Sequence, residues 1–216
     1  MANGCSYSTV AEGNGFTPQQ GDLLFQDLDS GPLCDAIEKV TTGYQGMNFS
    51  HVGIVTEDNI GNPAVIEAVS SGVELTPLET FLNRSLDARG RPKVLVGRLK
   101  EPHHRLIHCA VNEAFALKGK AYDKAFIIGN DAYYCSELIY EIFLRANNDK
   151  PVFKLQPMTF KDPDTEDILC AWQAYFSDLG VPVPEGQPGI NPGSISRSPN
   201  LTIVYLYGNP SRRPLL

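Results

Sequence analysis

No stretch of this chain reaches eighteen apolar residues, so no segment is expected to cross a bilayer as a helix. Lys and Arg form no long run and do not interleave with aromatics, and the net charge is −7. Nucleic acid and anionic membrane surfaces are therefore poor partners. Five cysteines, Cys5, Cys34, Cys109, Cys135 and Cys170, make an odd set without a Cys-x-x-Cys pair, which argues against a zinc knuckle or a disulfide framework. His104 and His108 are spaced i,i+4 but lack the HExxH pattern, so no metal is expected there. The opening Met1-Ala2-Asn3-Gly4-Cys5 has neither the charged nor the apolar region of a signal peptide. Two readings stay open: a cytoplasmic chain, or an envelope protein whose leader has been removed. Internal repeats and low-complexity tracts are also missing.

What is present is an ordinary globular composition, 42% hydrophobic and 20% charged over 216 residues, enough for one generous domain. Residues 1–20 are polar and Gly/Ser/Thr-rich and read as a loose lead-in. Gly21-Asp22 is a turn feeding a short strand through Gln26, and Pro32 starts a helix that Gly43 stops. Strands are predicted at 50–56, 64–69, 72–75, 93–99 and 201–207. Thr76-Pro77-Leu78-Glu79 reads as a capping box for a short helix. Further helices are predicted over 104–118, 135–147 and 165–179, while 181–199 is a Pro/Gly-rich loop long enough to have a function. Cys34, Cys109 and Cys170 fall inside apolar helical patterns and are expected to be buried. Helices apart from a run of short strands point to the α+β class.

Chemistry concentrates at Cys135. Leu138, Ile139, Ile142 and Phe143 follow it at helical spacing, so the cysteine opens an amphipathic helix. A sulfur in a first turn sits among N–H groups that lack helical partners, a place that favours negative charge and can hold an oxyanion. A buried structural thiol is the competing reading. His51 enters an otherwise apolar strand, and Glu67 is a carboxylate inside the next one. If those strands pair, the two side chains share a face, and Glu67 can hold the imidazole that would accept the thiol proton. A core histidine and an edge glutamate are the alternatives.

Gly21-Asp22-Leu23-Leu24-Phe25, Ser50-His51-Val52-Gly53-Ile54-Val55, Val65-Ile66-Glu67-Ala68-Val69 and Tyr134-Cys135-Ser136-Glu137-Leu138, in that order, resemble the YiiX-like branch of the NlpC superfamily. These are papain-like cysteine hydrolases with a circularly permuted chain. The resemblance covers about 21–145 and implies a small antiparallel sheet or partial barrel packed on the cysteine helix. It implies Cys135 as nucleophile, His51 as base and acid, and Glu67 as orienter, with no cofactor. Residues 21–216 would form one catalytic domain, with 150–216 a C-terminal elaboration. Lecithin retinol acyltransferase relatives share the permuted order but usually carry Asn-Cys-Glu-His-Phe at the nucleophile, whereas this chain has Tyr-Cys-Ser-Glu-Leu. That difference favours the hydrolase branch, and the resemblance implies an amidase or peptidase acting on cell-wall peptides or small N-acyl amino acids in a bacterial envelope. A lipid acyl hydrolase or acyltransferase, or a non-catalytic binding module, is the alternative. Tyr44 and Tyr134 are candidates to line the substrate cleft, with aromatic packing the other reading for both.

Overall fold

The computed structural model describes residues 15–212, so most of the expected lead-in lies outside the described residues. β1 (Leu23–Gln26) leads into α1 (Pro32–Val40), which has proline in its first turn. β2 (His51–Glu57), β3 (Pro63–Val69) and β4 (Gly72–Pro77) then form a meander, followed by α2 (Leu78–Asn83) and β5 (Val94–Leu99). α3 (Ile107–Ala116) and α4 (Cys135–Ala146) come next, then β6 (Gln156–Pro157), α5 (Cys170–Leu179), β7 (Pro188–Gly189), α6 (Pro192–Ser196) and β8 (Leu201–Leu206).

One antiparallel sheet in the order β4-β3-β2-β1-β5-β8 carries the site, and β6 pairs with β7 apart from it. β1, β2, β3 and β5 are buried on both faces, which is why they read as apolar runs rather than alternations. Leu23, Phe25, Val52, Ile54, Ile66 and Ala68 pack towards the main core with Leu138, Ile139 and Ile142 of α4. Leu24, Val55, Val65, Val94 and Val96 pack on the other side with Phe81 and Leu82 of α2. The result is an α+β arrangement with the cysteine helix laid against β2 and β3, as the resemblance implies.

Three local readings are corrected. Thr76 is not a cap: it is the penultimate residue of β4, and α2 starts after Pro77 without a side-chain cap. Its hydroxyl goes to Glu67 instead, because a buried carboxylate needs donors more than a surface helix needs a cap. The helix predicted over 165–179 is α5 and starts at Cys170, since Asp162 to Asp167 form a turn with Glu166 in the left-handed region at φ 61°. Cys109 and Cys170 are exposed, and Cys34 is only half buried. In α3 the inward face is Ile107, Ala110, Val111 and Ala114, which turns Cys109 to solvent; in α5 it is Trp172 and Phe176.

Candidate active site

Cys135 is the first residue of α4, entered from Tyr134 in an extended conformation (φ −86°, ψ 168°). Glu137 reaches back to accept the N–H groups of Tyr134 at 3.4 Å and Gly129 at 3.2 Å, fastening the incoming loop to the first turn. The thiol is 7% exposed, and its Sγ lies 4.0 Å from the carbonyl oxygen of Ser50, the residue before β2. The head of the helix therefore meets the end of the strand that starts with His51.

His51 Nε2 and Glu67 Oε2 are 2.5 Å apart, with both side chains buried. The Cys135 thiol is the ring's other influential neighbour. With Nε2 held by Glu67, Nδ1 is the nitrogen left free to serve the thiol. Burial pulls the imidazole pKa down, but hydrogen bonds to Cys135 and Glu67, and their charge, push it up to about 9.

The reach from Glu67 to His51 depends on a glycine. β2 and β3 pair with Ile54 opposite Ile66, so the same register sets Gly53 opposite Glu67 and places His51 diagonally across. A Cβ on Gly53 would come within 2.4 Å of Val65 Cγ1 and 3.3 Å of Glu67 Cβ.

Glu67 is itself held by several groups. Thr76 Oγ1 donates to Oε1 at 2.5 Å, while Arg84 Nη2 and Nη1 donate to Oε1 and Oε2 at 2.7 and 2.8 Å. Burial raises its pKa, yet the Arg84, His51 and Thr76 bonds outweigh that and hold it well below the usual carboxylate range. Glu67 thus stays ionised while fully buried. Sequence reasoning missed Arg84 and Thr76. The signal for them was the charge itself: a buried carboxylate with one imidazole partner has unfilled lone pairs, and an arginine one short helix further on can fill them.

A cavity of about 240 Å3 opens beside the sulfur. Ile37 and Val40 of α1, Phe126, Phe160 and Trp172 make its apolar wall. Tyr134 lines it too, with its hydroxyl accepting the Ile190 N–H at 3.1 Å. Gly189 to Pro192, from the long Pro/Gly-rich segment, close another side. His51 and Glu67 lie outside this lining, so the cavity meets the thiol and not the groups behind it. Tyr44 is elsewhere: it begins a tight turn whose N–H donates to Ser196 Oγ at 3.0 Å, and it does not line the cavity. Asp22 pairs bidentately with Arg98, away from the cavity. Among the described residues, no group of three or more His, Cys, Asp and Glu side chains is placed to hold a metal ion. A thiol at a helix head, beside an imidazole held by a buried carboxylate and opening on a cavity, can support nucleophilic acyl transfer.

Residues 17–205 match the family described as permuted papain-like amidase enzyme, YaeF/YiiX, C92 family. The uncharacterized protein YiiX of Escherichia coli (strain K12) is 26% identical over 188 residues, covering 87% of this chain and 86% of its own length. A crystal structure described as metalloprotein yiiX from Escherichia coli O157:H7 superposes with a TM-score of 0.71 at 25% identity, over 89% of this chain and 99% of that one.

Proposed function

The chain belongs to the permuted papain-like amidase family and is a cysteine hydrolase; on that premise we propose that it cleaves an amide bond with Cys135 as nucleophile, His51 as general base and acid, and Glu67 as orienter. The observation that carries these roles is that the head of α4, with Cys135 Sγ 4.0 Å from the Ser50 carbonyl oxygen, meets the start of β2 where His51 is held by the buried carboxylate of Glu67.

In the proposed cycle the thiol proton passes to His51 Nδ1. The sulfur attacks the amide carbonyl, forming a C–S bond while the carbonyl pair moves to oxygen. N–H groups in the first turn of α4 face that oxyanion. As the oxyanion collapses, His51 delivers its proton to the leaving nitrogen and the C–N bond breaks, releasing the amine and leaving a thioester. Water, deprotonated by His51, then attacks the thioester; the acid leaves and the proton returns to the thiol pair. Glu67, kept anionic by Arg84 and Thr76, fixes the ring plane and offsets the imidazolium charge throughout.

The substrates we assign are cell-wall peptides or small N-acyl amino acids in a bacterial envelope. The cavity of about 240 Å3 is small beside typical ligand sites and supports a short acyl group over a long lipid chain. The test measures amine release from N-acyl amino acids and cell-wall peptides against fatty-acid release from lipid esters. Amine release lost in Cys135→Ala and His51→Ala supports the proposal. Fatty-acid release alone would move the activity to lipids, and neither product would leave a binding module.

A further inference from the structure

β6 and β7 form a two-stranded ribbon that gives the cavity Gln156, Met158 and Gly189. Gln156 stands opposite Gly189, so Met158, two residues on, shares their face. The Met158 N–H donates to the Gln187 carbonyl at 2.9 Å, and the Met158 carbonyl accepts the Gly186 N–H at 2.8 Å. These two bonds pin the backbone beneath the side chain. The side chain itself lies over Gly189. A Cβ on that glycine would come within 2.2 Å of Met158 Sδ, 2.5 Å of Cγ and 2.8 Å of Cε. The thioether therefore occupies the space that any larger residue at 189 would need. Gly189 has no positive φ, so the seated methionine, and not the backbone, demands glycine here. The large apolar groups elsewhere in the lining, such as Val40, Phe126, Phe160 and Trp172, are branched or aromatic and hold their shape. Met158 is unbranched, with three rotatable bonds, and only half buried. One adaptable side chain thus stands in an otherwise stiff apolar wall.

We propose that Met158, seated on Gly189, sets the length of the acyl group that the cavity admits. That the occupant is an acyl group rests on the amidase reading; the size limit is a property of the cavity. A chain growing from Cys135 towards the ribbon gains free energy with each methylene it buries, until it meets the thioether. Methylenes beyond that point must displace Met158 or stay in water. Removing the Met158 side chain lengthens the cavity. A methyl on Gly189 instead drives the thioether off its seat and into the open space beside it, which is the cavity.

The test titrates N-acylglycines, from acetyl to dodecanoyl, into the Cys135→Ser protein, which cannot form the thioester. Occupancy is read by calorimetry and by the fluorescence of Trp172, the single tryptophan, which lines the cavity. Affinity should rise about fourfold per methylene and then level off at one chain length. Met158→Ala should move that break about two carbons longer, because three heavy atoms leave the wall. Gly189→Ala should move it shorter. With Met158→Ala already present, Gly189→Ala should lose its effect, since the side chain it clashes with is gone. Should Gly189→Ala alone fail to fold, the Met158→Ala break decides by itself. A break at the same length with and without the Met158 side chain overturns the proposal. So does a shortening by Gly189→Ala that persists in the doubly substituted protein, or no binding by any member of the series. Glycine release by the wild-type enzyme judges the amidase reading separately. A movable break without glycine release keeps the role of Met158 and removes the amidase reading, and glycine release with a fixed break does the reverse.

Discussion

His51 is pulled in two directions. Burial favours the neutral ring, while Glu67 on one nitrogen and Cys135 on the other favour the charged one, and the neighbours win. Because its pKa rises from 6.5 to about 9 in the fold, its stabilising contribution is complete below 6.5 and disappears as pH rises through about 9. The same proton is the one owed to the leaving amine. Amidase kcat/KM should therefore hold through neutrality and decline above about pH 9, measured as a pH profile; a decline centred near pH 6 would remove His51 from the acid role. Thiol reactivity gives an independent check. Cys109 and Cys170 are exposed and Cys135 nearly covered, so access alone predicts that Cys135 reacts last. If His51 takes the Cys135 proton as proposed, that order reverses at mildly acidic pH, where ordinary thiols are protonated. Peptide mapping after brief iodoacetamide treatment at pH 6 should find Cys135 alkylated first, and His51→Ala should lose that lead. If Cys109 leads in the wild-type protein, Cys135 is not the nucleophile.

Between strand and helix the decisive unit is the clamp on Glu67. Arg84 crosses from the end of α2 to β3 and Thr76 reaches over from β4, so the carboxylate is tied to three elements besides its own. Arg84→Met removes a bidentate partner from a fully buried anion. Breaking a buried pair is worth roughly 3–5 kcal/mol, and since the Arg84 side chain is 29% exposed the expected loss is smaller, about 2 kcal/mol in urea unfolding. The sign with pH follows from the depressed Glu67 pKa: its stabilisation is present above the unfolded value near 4.5 and lost as pH falls through the folded value. Without Arg84 that folded value rises, so acid unfolding should begin at higher pH, while Arg84→Lys should recover part of the difference. Gly53→Ala should also destabilise by about 1–3 kcal/mol, because its methyl meets Val65. These contacts mark how far the sequence could be read. Strand period and turn residues located β1 to β5, and the charge at Glu67 stood out against its apolar neighbours. Thr76 and Arg84 did not stand out, since one resembled a helix cap and the other a surface arginine, and local pattern carries no record of which buried group a side chain meets. Cys109 was misread for a related reason: an apolar type in an amphipathic helix is not proof of the inward face.

Across the whole molecule the question is whether residues after 150 are an appendage or part of one cooperative unit. β8 pairs with β5 as the sixth strand, α5 packs on α1, and the stretch around Ile190 walls the cavity and binds the Tyr134 hydroxyl through its N–H. The chain has a single tryptophan, Trp172, which is buried in α5 with Phe126, Phe160, Tyr175 and Phe176 about it. Phe126 belongs to the loop before the cysteine helix, so the indole touches both parts of the chain. Its fluorescence thus reports the C-terminal third, while far-UV circular dichroism reports every helix and strand. If the parts fold as one, urea titrations followed by the two signals should coincide in midpoint and slope. An early fluorescence transition with the dichroism still native would make the C-terminal part a separable layer, and would predict that substrate binding is lost before the fold is. We expect coincidence, because the aromatic cluster around Trp172 and the apolar wall of the cavity share Phe126, Phe160 and Trp172 itself. Unfolding that cluster alone would expose these rings and open the cavity in the same step, so substrate-sized ligands that fill the cavity should raise both midpoints together.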